Sequence, residues 1–248
     1  MALRIHAETS AAAGVRQADA TREGAGEQPG SSPRHAAGSE RETVILVHGL
    51  WMSPWVMGVL ARRLGARGYS VHVFGYRSVR DGLAANADAL ARFAAGICAP
   101  AVHFVGHSLG GLVIAASLHA HPDPRPGRVV FVGSPFRGSA AALRLARSRA
   151  GAAVLGRSMA QWLHTPGAWT PGREIGVIAG EAGLGLGRLI EPALGRPNDG
   201  AVAVEETQVP GAKDRIVLPV SHSGMLLSRQ VAEQVAHFLR EGHFRPPE

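Results

Sequence analysis

Apolar and polar positions along the chain follow two periods. Short apolar runs near 43–47, 71–75, 101–105, 128–133, 174–179 and 214–220 are rich in β-branched residues, as buried strands are. Between them, near 54–67, 83–96, 109–120, 139–150 and 225–240, apolar residues recur at helical spacing. Ser53 before Pro54 supplies an N-cap with proline at the first helical position. Strands that alternate with helices predict an α/β chain with a mostly parallel central sheet covered on both faces.

Residues 1–41 break the pattern. They are rich in Ala, Gly, Ser, Arg and Glu, with almost no large apolar residue after Ile5. Such a segment cannot bury enough surface to fold alone, and it has neither the apolar core of a secretory signal nor the acid-poor character of a transit peptide. The expectation is a disordered tail followed by one domain over 42–248. At 248 residues and 46% apolar composition the chain is long enough for a large core. No run approaches the length of a membrane helix, so a cytoplasmic location is expected. The one cysteine, Cys98, excludes an internal disulfide.

The chemistry concentrates in Gly106-His107-Ser108-Leu109-Gly110-Gly111. An apolar run precedes it and a helix-favouring segment follows, so Ser108 stands at the apex of a strand–turn–helix. Glycines two before and two after the serine let strand and helix approach closely enough to project its hydroxyl. With 32 Gly in the chain the pattern alone is weak, and the bland reading is a turn with an N-cap serine. Context adds three features. The run Thr43–Val47 ends in His48-Gly49-Leu50-Trp51, where a backbone N–H can face a developing oxyanion. Leu50 is the expected donor, with Trp51 next, and Leu109 supplies the second amide.

His222, leaving one strand and entering a helix, is placed to act as a base. His107 reads as packing, His237 and His243 as solvated, and His164 as the remaining rival. Asp199, in the turn Arg196-Pro197-Asn198-Asp199-Gly200, can orient that imidazole. Asp214 reads as a turn residue opening the next strand, and Glu205 and Glu206 as solvated charges. The order Ser, Asp, His is that of one hydrolase architecture.

These stretches, with Val129–Ser139 and Asn198–Val204, resemble the α/β-hydrolases of the bacterial lipase and esterase kind over about residues 42–241. Gly133-Ser134-Pro135 is similar to the Gly-Thr-Pro stretch of many lipases, with serine for threonine and Phe136-Arg137 for the usual His-containing pair. The resemblance implies an α/β-hydrolase fold and a Ser108–His222–Asp199 triad cleaving carboxylic esters through an acyl-enzyme, without cofactor or metal. Trp51, Trp55 and Phe136 flank the expected oxyanion loop and are candidates for the acyl pocket. Thioesterase, amidase and acyltransferase activities, a perhydrolase side activity, and a non-catalytic binding protein of the same fold stay open. The chain departs from secreted lipases in having no signal peptide, no disulfide and no carboxylate cluster that reads as a calcium site. The short span from Ser108 to Asp199 leaves room for a small cap only, expected around 137–173.

The net charge of +7 falls on the folded part. From Arg137 to Arg173 there are six Arg and no acid, interleaved with Leu143, Leu145, Val154, Leu155, Met159, Trp162, Leu163 and Trp169. A solvated basic helix face is one reading; contact with an anionic lipid surface is the other. No nucleic-acid-binding motif is present, so nucleic acid is not an expected partner.

Overall fold

In the computed structural model, the described residues are 4–6, 41–164, 172–183 and 195–246. The strands are β1 (Arg4–His6), β2 (Thr43–Val47), β3 (Ser70–Phe74), β4 (Val102–His107), β5 (Val129–Val132), β6 (Ile175–Gly180) and β7 (Asp214–Leu218). The α-helices are α1 (Gly58–Gly65), α2 (Leu83–Ala95), α3 (Leu109–Ala120), α4 (Ala140–Ala146), α5 (Arg149–His164) and α6 (Arg229–Glu241). The strands form one sheet in the order β1-β3-β2-β4-β5-β6-β7, and every neighbouring pair is parallel.

Side-chain alternation divides the core into two layers. Ile45 and Val47 of β2 face a cluster with Phe104, Leu90, Leu112 and Phe131, while Val44 and Leu46 face the opposite cluster with Leu60, Val105, Val130, Val235 and Phe238. Both faces are covered, which is why these strands read as continuous apolar runs. Helix α3 is buried over Leu109–Ala115, as a helix at the centre of a layer must be.

Differences from the sequence expectations have local causes. The helix expected over 54–67 is a 3-10 turn (Pro54–Met57) running into α1. The one expected over 225–240 starts anew at Ser228, whose Oγ accepts from Val231 N–H. Helix α5 runs well beyond the expected 139–150 because two glycines hid its period; it breaks at Gly156, with φ 70°. Within the expected tail, Arg4–His6 pairs with His72–Phe74 at the sheet edge, and residues 7–40 lie outside the described residues.

Helix α5, in the stretch expected to form a cap, packs against the domain core. Leu155, Met159 and Trp162 of α5 enter the same cluster as Leu83 and Phe136, and Gln161 Oε1 accepts from the Leu83 amide at 2.5 Å. Arg173 points to the far end of the sheet, with its guanidinium 5.4 Å from the Phe104 ring centroid. Residues 165–171 of the expected cap, Trp169 among them, lie outside the described residues. Of the described residues, no helix is long and apolar enough to cross a membrane.

Close backbone approach governs the strand ends that face the site. A Cβ on Gly110 would overlap the carbonyl oxygens of Val47 and His48, and one on Gly106 would overlap the backbone of Gly111. Gly110→Ala is therefore expected to destabilise the fold by roughly 1–3 kcal/mol, whereas Gly58→Ala, with nothing within 4 Å of the new Cβ, is expected to leave stability unchanged or raised. Urea midpoints of both variants check this; equal midpoints would contradict it.

Three histidines are buried on the sheet, His48, His103 and His107. Burial lowers the pKa of all three, that of His107 to about 3. Their folded values lie below the unfolded value, so between the two the unfolded chain binds more protons and stability rises with pH. Stability is thus expected to be full above about pH 6.5 and to fall on acidification, by about 1.4 kcal/mol per pH unit for His107, with His48 and His103 adding to the fall in the same direction. Urea midpoints from about pH 7 to about pH 4.5 read the slope, and a flat profile would overturn the expectation.

Candidate functional site

The C-terminal ends of parallel strands are where such sheets place ligands, and the sequence candidates gather there. Ser108 follows β4 with φ 53° and ψ −124°, a strained conformation for a residue bearing a side chain. The surroundings hold it: Ser108 N–H donates to Val132 O at 2.9 Å, and Gly111 N–H donates to Ser108 O at 3.1 Å. Leu109 opens α3, so its amide belongs to the first turn, whose N–H groups lack intrahelical acceptors.

The loop after β2 closes as a turn in which Met52 N–H donates to Gly49 O at 3.4 Å and Trp51 takes φ 58°. A Cβ on Gly49 would lie 3.1 Å from Ser108 Cβ, so the turn stands directly against the serine. The Trp51 amide donates to Ser78 Oγ at 3.2 Å. Of the two expected donors, Leu50 is the one whose amide has no such acceptor among the described residues. Tyr76 fixes the loop from below: its hydroxyl donates to His48 O at 2.9 Å and its ring stacks on His48 at 4.5 Å. Ser78 and Tyr76 were not singled out in the sequence, because neither carries a motif.

Asp199 and His222 come together. His222 Nδ1 donates to Asp199 Oδ2 at 2.7 Å, and His222 N–H donates to Asp199 O at 2.9 Å. The other carboxylate oxygen, Oδ1, accepts from Ala201 N–H at 2.9 Å and Val202 N–H at 2.7 Å. Asp199 is fully buried, and these bonds answer the desolvation of its charge. With Nδ1–H committed to the carboxylate, the neutral ring keeps its acceptor lone pair on Nε2. Two glycines make room for the pair. A Cβ on Gly133 would lie 3.2 Å from both Asp199 Oδ2 and His222 Nδ1, and one on Gly180 would lie 2.8 Å from Asp199 Cβ.

His107, read from sequence as packing, is buried, and its Nε2–H donates to His222 O at 2.9 Å. The rivals lie elsewhere. Asp214 begins β7 at the opposite end of the sheet and accepts from Arg215 and Phe244 N–H. His237 and His243 pack on each other beside α6, and His164 ends α5. Glu206 is not a solvated charge: it accepts from Ala140 and Ala203 N–H, and burial raises its pKa, with the nearby Asp199 charge adding to the rise. Of the pocket candidates, Trp51 and Trp55 are exposed, at 54% and 71%. Phe136 is buried against Phe131 and Trp162. Among the described residues no group of three His, Cys, Asp or Glu could hold a metal ion. An apex serine, a carboxylate-bound imidazole and two amides beside the serine are the groups that acyl transfer uses.

Comparison with solved structures finds the same architecture. A Bacillus licheniformis lipase in its mature form is 19% identical with a TM-score of 0.57, over 79% of this chain and 90% of that one. A metagenomic carboxyl esterase is 20% identical with a TM-score of 0.56, over 75% of this chain and 65% of its own. A thioesterase domain from the curacin biosynthetic pathway is 15% identical with a TM-score of 0.52, over 82% and 92%. At these identities the likeness is one of fold. A search of curated protein sequences finds no match. The model of the Alpha/beta hydrolase family matches residues 44–245. That match spans the sheet from β2 onward and all the candidate residues, and the chain belongs to the alpha/beta hydrolase family.

Proposed function

We propose that the protein is a serine hydrolase that cleaves carboxylic esters. The observation that carries this reading is the Asp199–His222 pair at 2.7 Å beside the strained Ser108 turn. Ser108 Oγ attacks the ester carbonyl while His222 Nε2 takes its proton. The negative oxygen is held by the Leu50 and Leu109 amides. The tetrahedral intermediate collapses, the alkoxide leaves with the proton from His222, and Ser108 keeps the acyl group. Water then attacks the acyl-enzyme by the same route, releasing the acid and restoring the serine. Asp199 holds the imidazole tautomer and stabilises the imidazolium. Trp51 and Trp55 form the exposed rim of the acyl site, and Phe136 supports its wall from inside the core. The proteins of similar fold include a lipase, a carboxyl esterase and a thioesterase domain, so thioesters are the second acyl class to compare.

A specific surface favours esters carried at an anionic lipid interface. Trp51 Nε1–H donates to Val154 O at 2.8 Å, and both residues are exposed. Arg157 N–H donates to Val79 O at 3.0 Å, which joins α5 to the loop bearing Arg77 and Arg80. These arginines, with Arg147 and Arg149, are exposed and form no ion pair among the described residues. Asp81 is the acid beside them. An exposed indole bonded to α5, with exposed arginines on α5 and on the adjoining loop, suits headgroup phosphates.

Initial rates on p-nitrophenyl esters of increasing acyl length test the chemistry. Ser108→Ala is expected to lower kcat at least about a thousandfold and Asp199→Asn by about 10²- to 10⁴-fold, with Asp214→Asn near wild type. Unchanged rates in Ser108→Ala would remove the serine as nucleophile. The surface is tested separately with Ser108→Ala protein on vesicles of phosphatidylglycerol or phosphatidylcholine. Binding to the anionic vesicles only is expected, weakened about tenfold or more by Arg80→Glu with Arg157→Glu. The same double charge reversal in otherwise wild-type protein should leave turnover of a short soluble ester unchanged. Equal binding to both vesicles, or to neither, would overturn the lipid reading.

A further inference from the structure

We infer that His107 is a positioning residue that ties the proposed nucleophile turn to the proposed base, and that it works as a neutral imidazole with its proton on Nε2. What His222 does in this scheme follows the hydrolase reading above; what His107 does follows from its own contacts.

Ser108 and His222 come from segments more than a hundred residues apart, so something must hold the two in register. Asp199 holds His222 by the ring and by the backbone N–H. Both bonds fix the base to the acid loop, and neither fixes it to the serine. Among the described residues, the hydrogen bond joining residues 106–109 to residues 219–223 is His107 Nε2 to His222 O, at 2.9 Å. It completes a frame around His222: ring, backbone N–H and backbone C=O are each tied, the last to the neighbour of Ser108.

The chemistry of this contact sets the tautomer. A backbone carbonyl only accepts, so Nε2 carries the proton. Nδ1 is buried and has no partner among the described residues. A second proton there would be a donor without an acceptor, in a site shut off from water. The titratable groups around it oppose charge as well. The His222 ring centroid is 4.7 Å away, and His48 lies on the neighbouring strand end. Tyr76 is committed to His48 O, and the Asp199 carboxylate to His222 and two amides. Burial, with the His222 charge adding to it, holds the His107 pKa down to about 3. His107 therefore stays neutral when His222 takes up a proton, and no second cation opposes the imidazolium that forms.

Two variants separate positioning from packing. Glutamine places an amide N–H close to where Nε2–H stands; phenylalanine keeps ring volume and loses the donor. His107→Gln is expected to retain kcat within a few-fold, and His107→Phe to lose about tenfold or more in kcat with KM nearly constant, because a small displacement of the base is costly. Wild-type kcat in His107→Phe, or equal losses in both variants, would overturn the inference.

Ring ¹⁵N NMR of the wild-type protein gives a readout that needs no turnover and no variant. The His107 ring is expected to remain the neutral Nε2–H tautomer from about pH 5 to about pH 8. Titration in that range, or an Nδ1–H tautomer, would refute it. If esters are not hydrolysed while the His107 signature is as expected, the hydrolase reading fails and the contact stands.

Discussion

The backbones of β2, β4 and α3 meet with no side chain between them, and the site depends on that crossing. Gly110 brings the start of α3 against the carbonyls of Val47 and His48, and Gly106 brings β4 against Gly111. A Cβ at either place would push the helix away from the sheet. Ser108 would then relax from its left-handed backbone, and the turn carrying Leu50 would lose its seat against the serine. The strain at Ser108 is affordable because the core over-determines the surrounding elements. Leu109, Leu112, Val113 and Ile114 are fully buried, so α3 has no other place to go.

Asp199 and His222 are arranged by a different logic. Asp199 is charged and buried, which would be unfavourable without compensation. Two backbone N–H groups of its own turn and the His222 ring provide it. The turn sequence Asn198-Asp199-Gly200 is thus a small device for holding a carboxylate still: Asn198 Oδ1 accepts from Gly200 N–H while Asp199 Oδ1 accepts from the next two amides. Gly133 and Gly180 leave the volume that the pair fills.

How much of this the sequence discloses depends on how local each cause is. Strands β2 to β7 are legible because burial on both faces makes them apolar runs. The three residues of β1, Arg-Ile-His, offer no such run and pair only at an edge. Asp199 is separable from Asp214 by its turn chemistry and its place before an apolar stretch, whereas its distance from His222 is a tertiary fact. The role of His107 is not legible at all, since its partner is a carbonyl at position 222 and any backbone has carbonyls. Likewise Gly133 reads as part of a Gly-Ser-Pro turn, and only the fold reveals that its missing side chain is occupied by the acid–base pair.

The bond from the Trp51 indole to Val154 O has a mechanical consequence. Trp51 follows Leu50 in the same tight turn, and Val154 lies just before the Gly156 break in α5. The two are thereby joined across 103 residues of sequence. The indole thus ties the turn beside Ser108 to the stretch of α5 that ends at Gly156. A change of packing at either segment would therefore be felt at the other, through an indole that is one of four in the chain.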